Sequence, residues 1–349
     1  MSLTSRPAAA RRSLWSTWCV SLGLVLALQF GASAALFAAQ TVANPKDTSK
    51  EATELLNRMS KASKSLNYDG TFVYLRGDHL DTMRIIHRAG TGGEAERLIS
   101  LTGPAREVVR DKRGVTCIFP ENRSVMVEKS RPHKILPTNL PQPIQQVSAF
   151  YGFSVIGHDR IAGRETRVVV IRPRDNFRYG YRIWLDEQTG LLLKSDVINA
   201  RGHALEQILF THITLPKTID DSLLKPRVNG YGYTWYTNEP DPAASDAADS
   251  RWKVGWLPKG FTIREKEVNA MATSRSPVYH MVFSDGIATV SVFVEKVEEK
   301  AERMEGFSSM GAVNAYSTMD GDHQITVVGE VPRITVRQMA ASVKQQTAQ

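Results

Sequence analysis

The chain has 349 residues, 42% hydrophobic and 23% charged, with 24 Gly and 16 Pro, a globular composition that excludes collagen-like, low-complexity and wholly disordered chains. The length predicts two domains. The two cysteines cannot build a disulfide framework or a four-cysteine zinc site, and composition alone gives no function.

The first 39 residues read as a secretory signal peptide. Arg6, Arg11 and Arg12 form a positive start, Leu14 to Phe30 is uncharged and largely apolar, and Ala32-Ser33-Ala34 fits a small-residue cleavage site. About seventeen uncharged residues, interrupted by Ser16, Thr17, Ser21 and Gln29, are short for a membrane span. Cleavage removes Cys19, and Cys117 then forms no internal disulfide; in Val115-Thr116-Cys117-Ile118-Phe119 it reads as a small apolar side chain. Residues 40–217 hold 27 Lys+Arg against 19 Asp+Glu, residues 218–250 hold 2 against 6, and residues 251–349 hold 12 against 11. The excess of +8 in the first exported domain suits an anionic membrane surface, lipid or acidic protein segment better than nucleic acid, or it serves solubility alone.

Thr48 and Glu51 have the spacing of a capping box, and Ala52, Leu55, Leu56, Met59, Ala62 and Leu66 recur with helical period, which predicts one helix ending at Asn67. The period then becomes two. Strands are predicted at Thr71–Arg76, Thr82–Arg88, Glu96–Thr102, Arg106–Arg110, Val115–Phe119 and Ser124–Val127. After a proline-rich loop over residues 131–143 and a short helix at Ile144–Tyr151, strands follow at Ser154–His158, Arg164–Arg172, Tyr179–Leu185, Leu191–Ile198 and Leu205–Ile213. The short turns between them imply antiparallel pairing. About eleven strands with one long helix cannot lie flat with a bare apolar face, so the sheet must curl around the helix, the proline-rich loop or a ligand.

Residues 218–250 read as a linker: Pro216, Pro226, Pro240 and Pro242 break regular structure, and the aromatics Tyr231, Tyr233, Trp235 and Tyr236 are expected to pack on a neighbouring domain. A second, α+β domain is predicted over residues 251–349. It opens on Trp252, Trp256 and Phe261 and contains a hairpin turning at Asp285-Gly286 between Val278–Ser284 and Ile287–Glu295. Glu295–Arg303 is a charge run, Ala312–Thr318 and His323–Val328 are strands, and Pro332 starts a closing helix ending near Lys344.

No catalytic signature stands out. Gly-x-Ser-x-Gly and His-Glu-x-x-His are absent, and no two of the eight histidines lie at a persuasive ligand spacing. Gly90-Thr91-Gly92-Gly93 precedes neither a helix nor a Lys and reads as a hairpin loop, and Asp186-Glu187 falls in a predicted turn. The chain reads as a binding protein, with no catalytic residue, cofactor or metal assigned.

Tyr68-Asp69-Gly70-Thr71-Phe72-Val73-Tyr74, Met83-Arg84-Ile85-Ile86-His87-Arg88, Tyr181-Arg182-Ile183-Trp184-Leu185-Asp186 and Trp256-Leu257-Pro258-Lys259-Gly260-Phe261 closely resemble the MucB/RseB family of periplasmic sigma-factor regulators. The resemblance runs through the whole mature chain and is closer to the branch whose pathway controls alginate production. It implies a periplasmic location and a first domain similar to the lipoprotein carriers LolA and LolB, a half-open β-barrel with a helix. It also implies binding to the periplasmic part of a membrane-spanning anti-sigma factor, which is shielded from the protease making the first cut. Lipid, lipopolysaccharide or the acyl chains of a mislocalised lipoprotein would fill the cavity and release the partner. A lipid or lipoprotein carrier is the alternative, and a homo-oligomer stays open.

The alternating positions Phe72, Tyr74, Met83 and Ile85, with Ile183 and Leu185, either line such a cavity or form a core packed by the first helix. Arg76, Arg84 and Arg88 are candidate head-group contacts or a solvated outer face. Trp252, Trp256 and Phe261 are candidates for partner binding on the strength of the resemblance.

Overall fold

The computed structural model describes residues 45–90, 93–128, 140–228, 230–238, 251–269, 278–297 and 303–346. The signal segment, Thr91-Gly92, the proline-rich loop up to Asn139, the acidic end of the connector and residues 298–302 of the charge run lie outside the described residues. The described part is mostly sheet with two helices.

Helix α1 (Pro45–Ser65) starts ahead of the expected cap. Proline is suited to the first helical position, where an N–H would have no partner within the helix, and Thr48 therefore lies inside the helix. Glu51, expected to reach back to the cap, instead pairs with Arg167. The apolar face is as read: Ala52, Leu56 and Met59 are fully buried.

The eleven strands expected after it all form. They are β1 (Tyr68–Arg76), β2 (His79–Arg88), β3 (Ala95–Ser100), β4 (Glu107–Asp111), β5 (Gly114–Phe119), β6 (Ser124–Glu128), β7 (Tyr151–Ile161), β8 (Arg164–Pro173), β9 (Gly180–Asp186), β10 (Leu192–Ile198) and β11 (Ala204–Thr214). Of these, β1, β2, β7 and β11 run longer than read, and the others match within one or two residues at each end. A twelfth, β12 (Thr234–Asn238), comes from the connector and lies parallel to β6, because its chain returns from the far side of the sheet. The order is β12-β6-β5-β4-β3-β2-β1-β11-β10-β9-β8-β7. Edge strand β7 comes back near β11, four places away, so this half of the sheet curls, and α1 packs inside the curl against β7 and β8.

The connector is therefore built into the large sheet. Asp220 caps a 3-10 turn at Asp221–Leu224 by accepting from the Ser222 amide, and Ile219 and Leu224 cover Ile86 and Ile99 on the convex face. Arg97, buried with Glu107, donates to the Leu223 carbonyl at 3.1 Å. Trp235 and Tyr236 of the aromatic run lie in the exposed edge strand and Tyr231 and Tyr233 in the turn before it; Tyr231, Trp235 and Tyr236 all stand substantially in solvent.

The remaining chain forms β13 (Trp252–Val254), β14 (Thr262–Asn269), β15 (Val278–Ser284), β16 (Thr289–Lys296), β17 (Gly306–Met310), β18 (Val313–Asp320), β19 (His323–Gly329), helix α2 (Arg333–Ala341) and β20 (Val343–Gln345). Six of these make a second sheet in the order β14-β15-β16-β19-β18-β17, with β13 and β20 as a separate ribbon. Pro332 stands just before α2, and Val336, Met339 and Ala340 press onto the second sheet's core. The Asp285-Gly286 turn is four residues long: Asp285 Oδ1 accepts from the Ile287 and Ala288 amides at 2.9 and 2.8 Å, which closes a wider loop than the two-residue turn expected.

Candidate functional site: a concave apolar face and a polar seam

Strand alternation places Phe72, Met83, Ile85, Ile183 and Leu185 on the concave face of the large sheet, all buried, with Tyr74 half-buried beside them. They share one apolar cluster with Ala52, Leu56 and Met59 of α1. The helix covers only the half of the face over β7 and β8. Beyond it, the cross-strand partners Ile85, Leu98, Val108, Cys117, Met126 and Tyr236 continue the same face from β2 to β12. Burial fades along this row: Leu98 is 3% exposed, Met126 43% and Tyr236 46%. The convex side of this half is covered by the connector at Ile86 and Ile99, whereas on its concave side the apolar strip emerges into solvent at Met126 and Tyr236. Val108 and Met126 do not stand out in the sequence, and Tyr236 is expected there to pack on a neighbouring domain; strand order is needed to join them on one face.

The three arginines singled out from the sequence do not converge. Arg84 and Arg88 have the parity of the convex face. Arg84 makes a two-pronged pair with Asp69 at 2.9 and 2.6 Å, and Arg88 pairs with Asp221. Arg76 alone shares the concave parity, and its guanidinium lies 5.6 Å from the Tyr74 ring centre. The second lobe's aromatics share its core: Trp252 and Phe261 are buried in it and Trp256 packs against it. Trp256 also meets Phe177 of the first lobe edge-on at 5.1 Å, and Phe261 lies under Arg178.

Those last contacts belong to a seam at one end of the concave face. Arg178 and Asp285, both with fully buried side chains, form an ion pair at 2.5 Å. Tyr151 donates to the same Asp285 carboxylate at 2.9 Å, and Arg178 also holds Asp175 and the Lys259 carbonyl. Glu206, buried on β11, receives the Tyr74 hydroxyl at 2.6 Å and the Ala312 amide at 2.8 Å. Tyr181 donates to Glu330 at 2.8 Å, Asn314 donates to Tyr179, and Thr335 donates to the Phe177 carbonyl. Ala312 is fully buried within the first lobe's core cluster. It can enter because Gly311 turns with φ of +60° and carries no side chain against Arg76 and Glu206.

Burial pushes the hydroxyls of Tyr74, Tyr151 and Tyr181 above their ordinary range, so all three stay protonated donors. Burial, reinforced by the charge of Glu206, raises Glu330 to about 7 against the Tyr181 hydrogen bond that opposes it. No group of His, Cys, Asp and Glu among the described residues could hold a metal ion. A separate groove of about 560 Å³ lies on the second lobe between the end of β18, α2 and β20, lined by Met319, Ile325, Val343 and Lys344; it shares no residue with the concave face.

Residues 51–228 match the family model of the MucB/RseB N-terminal domain and residues 246–344 that of the MucB/RseB C-terminal domain. The chain is 31% identical over 313 residues to the sigma factor AlgU regulatory protein MucB of Pseudomonas aeruginosa, covering 88% of this chain and 95% of that protein. It is 25% identical over 319 residues to the sigma-E factor regulatory protein RseB of Escherichia coli, covering 90% and 95%. Among solved structures it resembles MucB in the Pseudomonas aeruginosa MucA/MucB complex, with a TM-score of 0.67, 28% identity and coverage of 85% of this chain and 100% of that one.

Proposed function

The chain belongs to the MucB/RseB family, and from that premise we propose that it is a periplasmic negative regulator of an envelope-stress sigma factor. It binds the periplasmic part of a membrane-spanning anti-sigma factor, in the way that its relative MucB forms a complex with MucA, and shields that part from the first proteolytic cut. Acyl chains of lipid, lipopolysaccharide or a mislocalised lipoprotein occupy the concave face and release the partner, and alginate production is the output. The residues proposed for the acyl site are Phe72, Tyr74, Met83, Ile85, Ile183 and Leu185 at its covered end. Leu98, Val108, Met126 and Tyr236 continue it at the open end.

The observation that carries the lipid reading is the apolar strip extending past α1. Apolar surface left in water is stabilised by burial at about 25 cal/mol per Å², and an acyl chain gains about 0.8 kcal/mol for each methylene it buries there. Of the three arginines, Arg76 stands where a head group at the seam end would meet it; Arg84 and Arg88 are committed to carboxylates on the other face. Of the three aromatics, Trp256, half-buried at the seam, is the one that a docking partner would meet; Trp252 and Phe261 are buried in the second core.

The test is a titration of the mature chain with a fluorescent peptide spanning the anti-sigma periplasmic segment, followed by lipopolysaccharide or a triacylated peptide. Displacement is expected. Simultaneous binding of both without mutual effect would refute the release mechanism. Delivery of bound lipid to an acceptor membrane would favour the carrier alternative.

A further inference from the structure

Three tyrosines place their rings on the first lobe's concave side and their hydroxyls on the seam. Tyr74 lies in register with Ile208, Tyr181 with Ile171 and Val197, and Tyr151 with Pro173; all three rings pack with the apolar cluster that α1 covers. Each hydroxyl ends on a carboxylate at the contact with the second lobe: Tyr74 on Glu206, Tyr151 on Asp285 and Tyr181 on Glu330. Asp285 and Glu330 belong to the second lobe. Glu206 belongs to the first but receives the second lobe's Ala312 amide on its other oxygen. The residues that face an entering acyl chain are thus one hydrogen bond from the groups that hold the second lobe.

We propose that Tyr74, Tyr151 and Tyr181 are struts that couple occupancy of the concave face to docking of the second lobe. This rests on the reading of the concave face as an acyl site. Hydrogen bonds weaken steeply with angle and distance, so a ring shifted to admit a chain loses its carboxylate. The seam then loses its ties together, since the groups left behind are buried. A ligand moves such an equilibrium only by the difference in its affinity for the two states. Here that difference is the docked seam, which resists movement of the three rings. The chemistry selects a ligand with a flexible single chain that enters from the open strip at Met126 and Tyr236 and advances toward Tyr74.

The test uses the mature chain, a lysophospholipid below its micelle concentration, the fluorescent anti-sigma peptide, and the triple variant Tyr74→Phe, Tyr151→Phe, Tyr181→Phe. Phenylalanine keeps each ring and removes each hydroxyl. The readout is the ratio of peptide Kd at saturating and at zero lipid, which does not depend on how tightly the lipid itself binds. We expect a ratio of about ten or more in the parent, in the range usual for coupled sites, and below about two in the triple variant. Amide exchange at Ala312, measured without lipid, should accelerate in the variant. A triple variant that retains the parent's ratio, or exchanges at Ala312 at the parent's rate, overturns the struts while leaving the acyl reading in place. A parent with no lipid effect removes the release reading and the coupling with it. Should the triple variant fail to fold, the single variants Tyr151→Phe and Tyr181→Phe are each expected to lower the ratio, and an unchanged ratio in both is equally decisive.

Discussion

Replacing Glu330 by Gln should remove a pH dependence built into the seam. The Glu330 carboxyl is raised from the usual value near 4.5 to about 7, chiefly by burial and secondly by the charge of Glu206. The folded protein therefore holds this proton more tightly than the unfolded chain. Its stabilising contribution is complete below pH 4.5, declines as pH rises, and is gone once pH has passed 7. One pKa unit is worth about 1.4 kcal/mol, so the shift from about 4.5 to about 7 amounts to roughly 3 kcal/mol. Glutamine is neutral, of similar size, and can still accept from the Tyr181 hydroxyl. In urea denaturation followed by circular dichroism, Glu330→Gln should lie close to the parent at pH 4.5 and exceed it by about 1–3 kcal/mol at pH 8. The parent's slope between these values should flatten. A variant that keeps the parent's full slope, or is less stable than the parent at pH 8, would refute the assignment of the titration to this carboxyl.

Asp285→Ala leaves buried Arg178 with Asp175 and the Lys259 carbonyl and should cost about 3 kcal/mol, the lower end for a broken buried pair, measured by the same denaturation. Gly311→Ala forces a methyl into Arg76 and Glu206, whereas Gly321→Ala has similar positive φ but open space around it. The Gly321 variant should lose about 1 kcal/mol from its backbone alone and the Gly311 variant about 1–3 kcal/mol more, so equal melting temperatures would contradict the close approach. Met126→Ser and Tyr236→Ser should each weaken binding of a fluorescent fatty acid by about fivefold, consistent with partial burial of one side chain. Their melting temperatures should fall only slightly, because both side chains already stand nearly half in solvent in the unliganded protein. Arg84→Ala should change stability by less than about 1 kcal/mol, as its pair with Asp69 is partly solvated.

Local pattern was enough for much of this molecule. The apolar spacing of Ala52, Leu56 and Met59 reported the helix and its buried face, and alternation reported all eleven strands from β1 to β11. The parity that puts Phe72, Met83 and Ile85 inside and Arg84 and Arg88 outside follows from the two-residue period of a strand. What the period could not give was which strands become neighbours. The aromatic run at Tyr233–Tyr236 carried turn-rich flanks and no alternation of its own, so its place as β12 depended on the free edge of β6.

The seam was beyond reach for the same reason. Glu206, Asp285 and Glu330 look like ordinary charged residues in a strand, a turn and a loop. Their meaning comes from Tyr74, Tyr151 and Tyr181, which lie 132, 134 and 149 positions away. Sequence determined the elements, their faces and the family, because those depend on short-range periodicity and on motifs kept in order along the chain. Tertiary structure alone decided that an open apolar strip ends at a buried polar junction, because desolvation and hydrogen bonding act on groups brought together only by the completed fold.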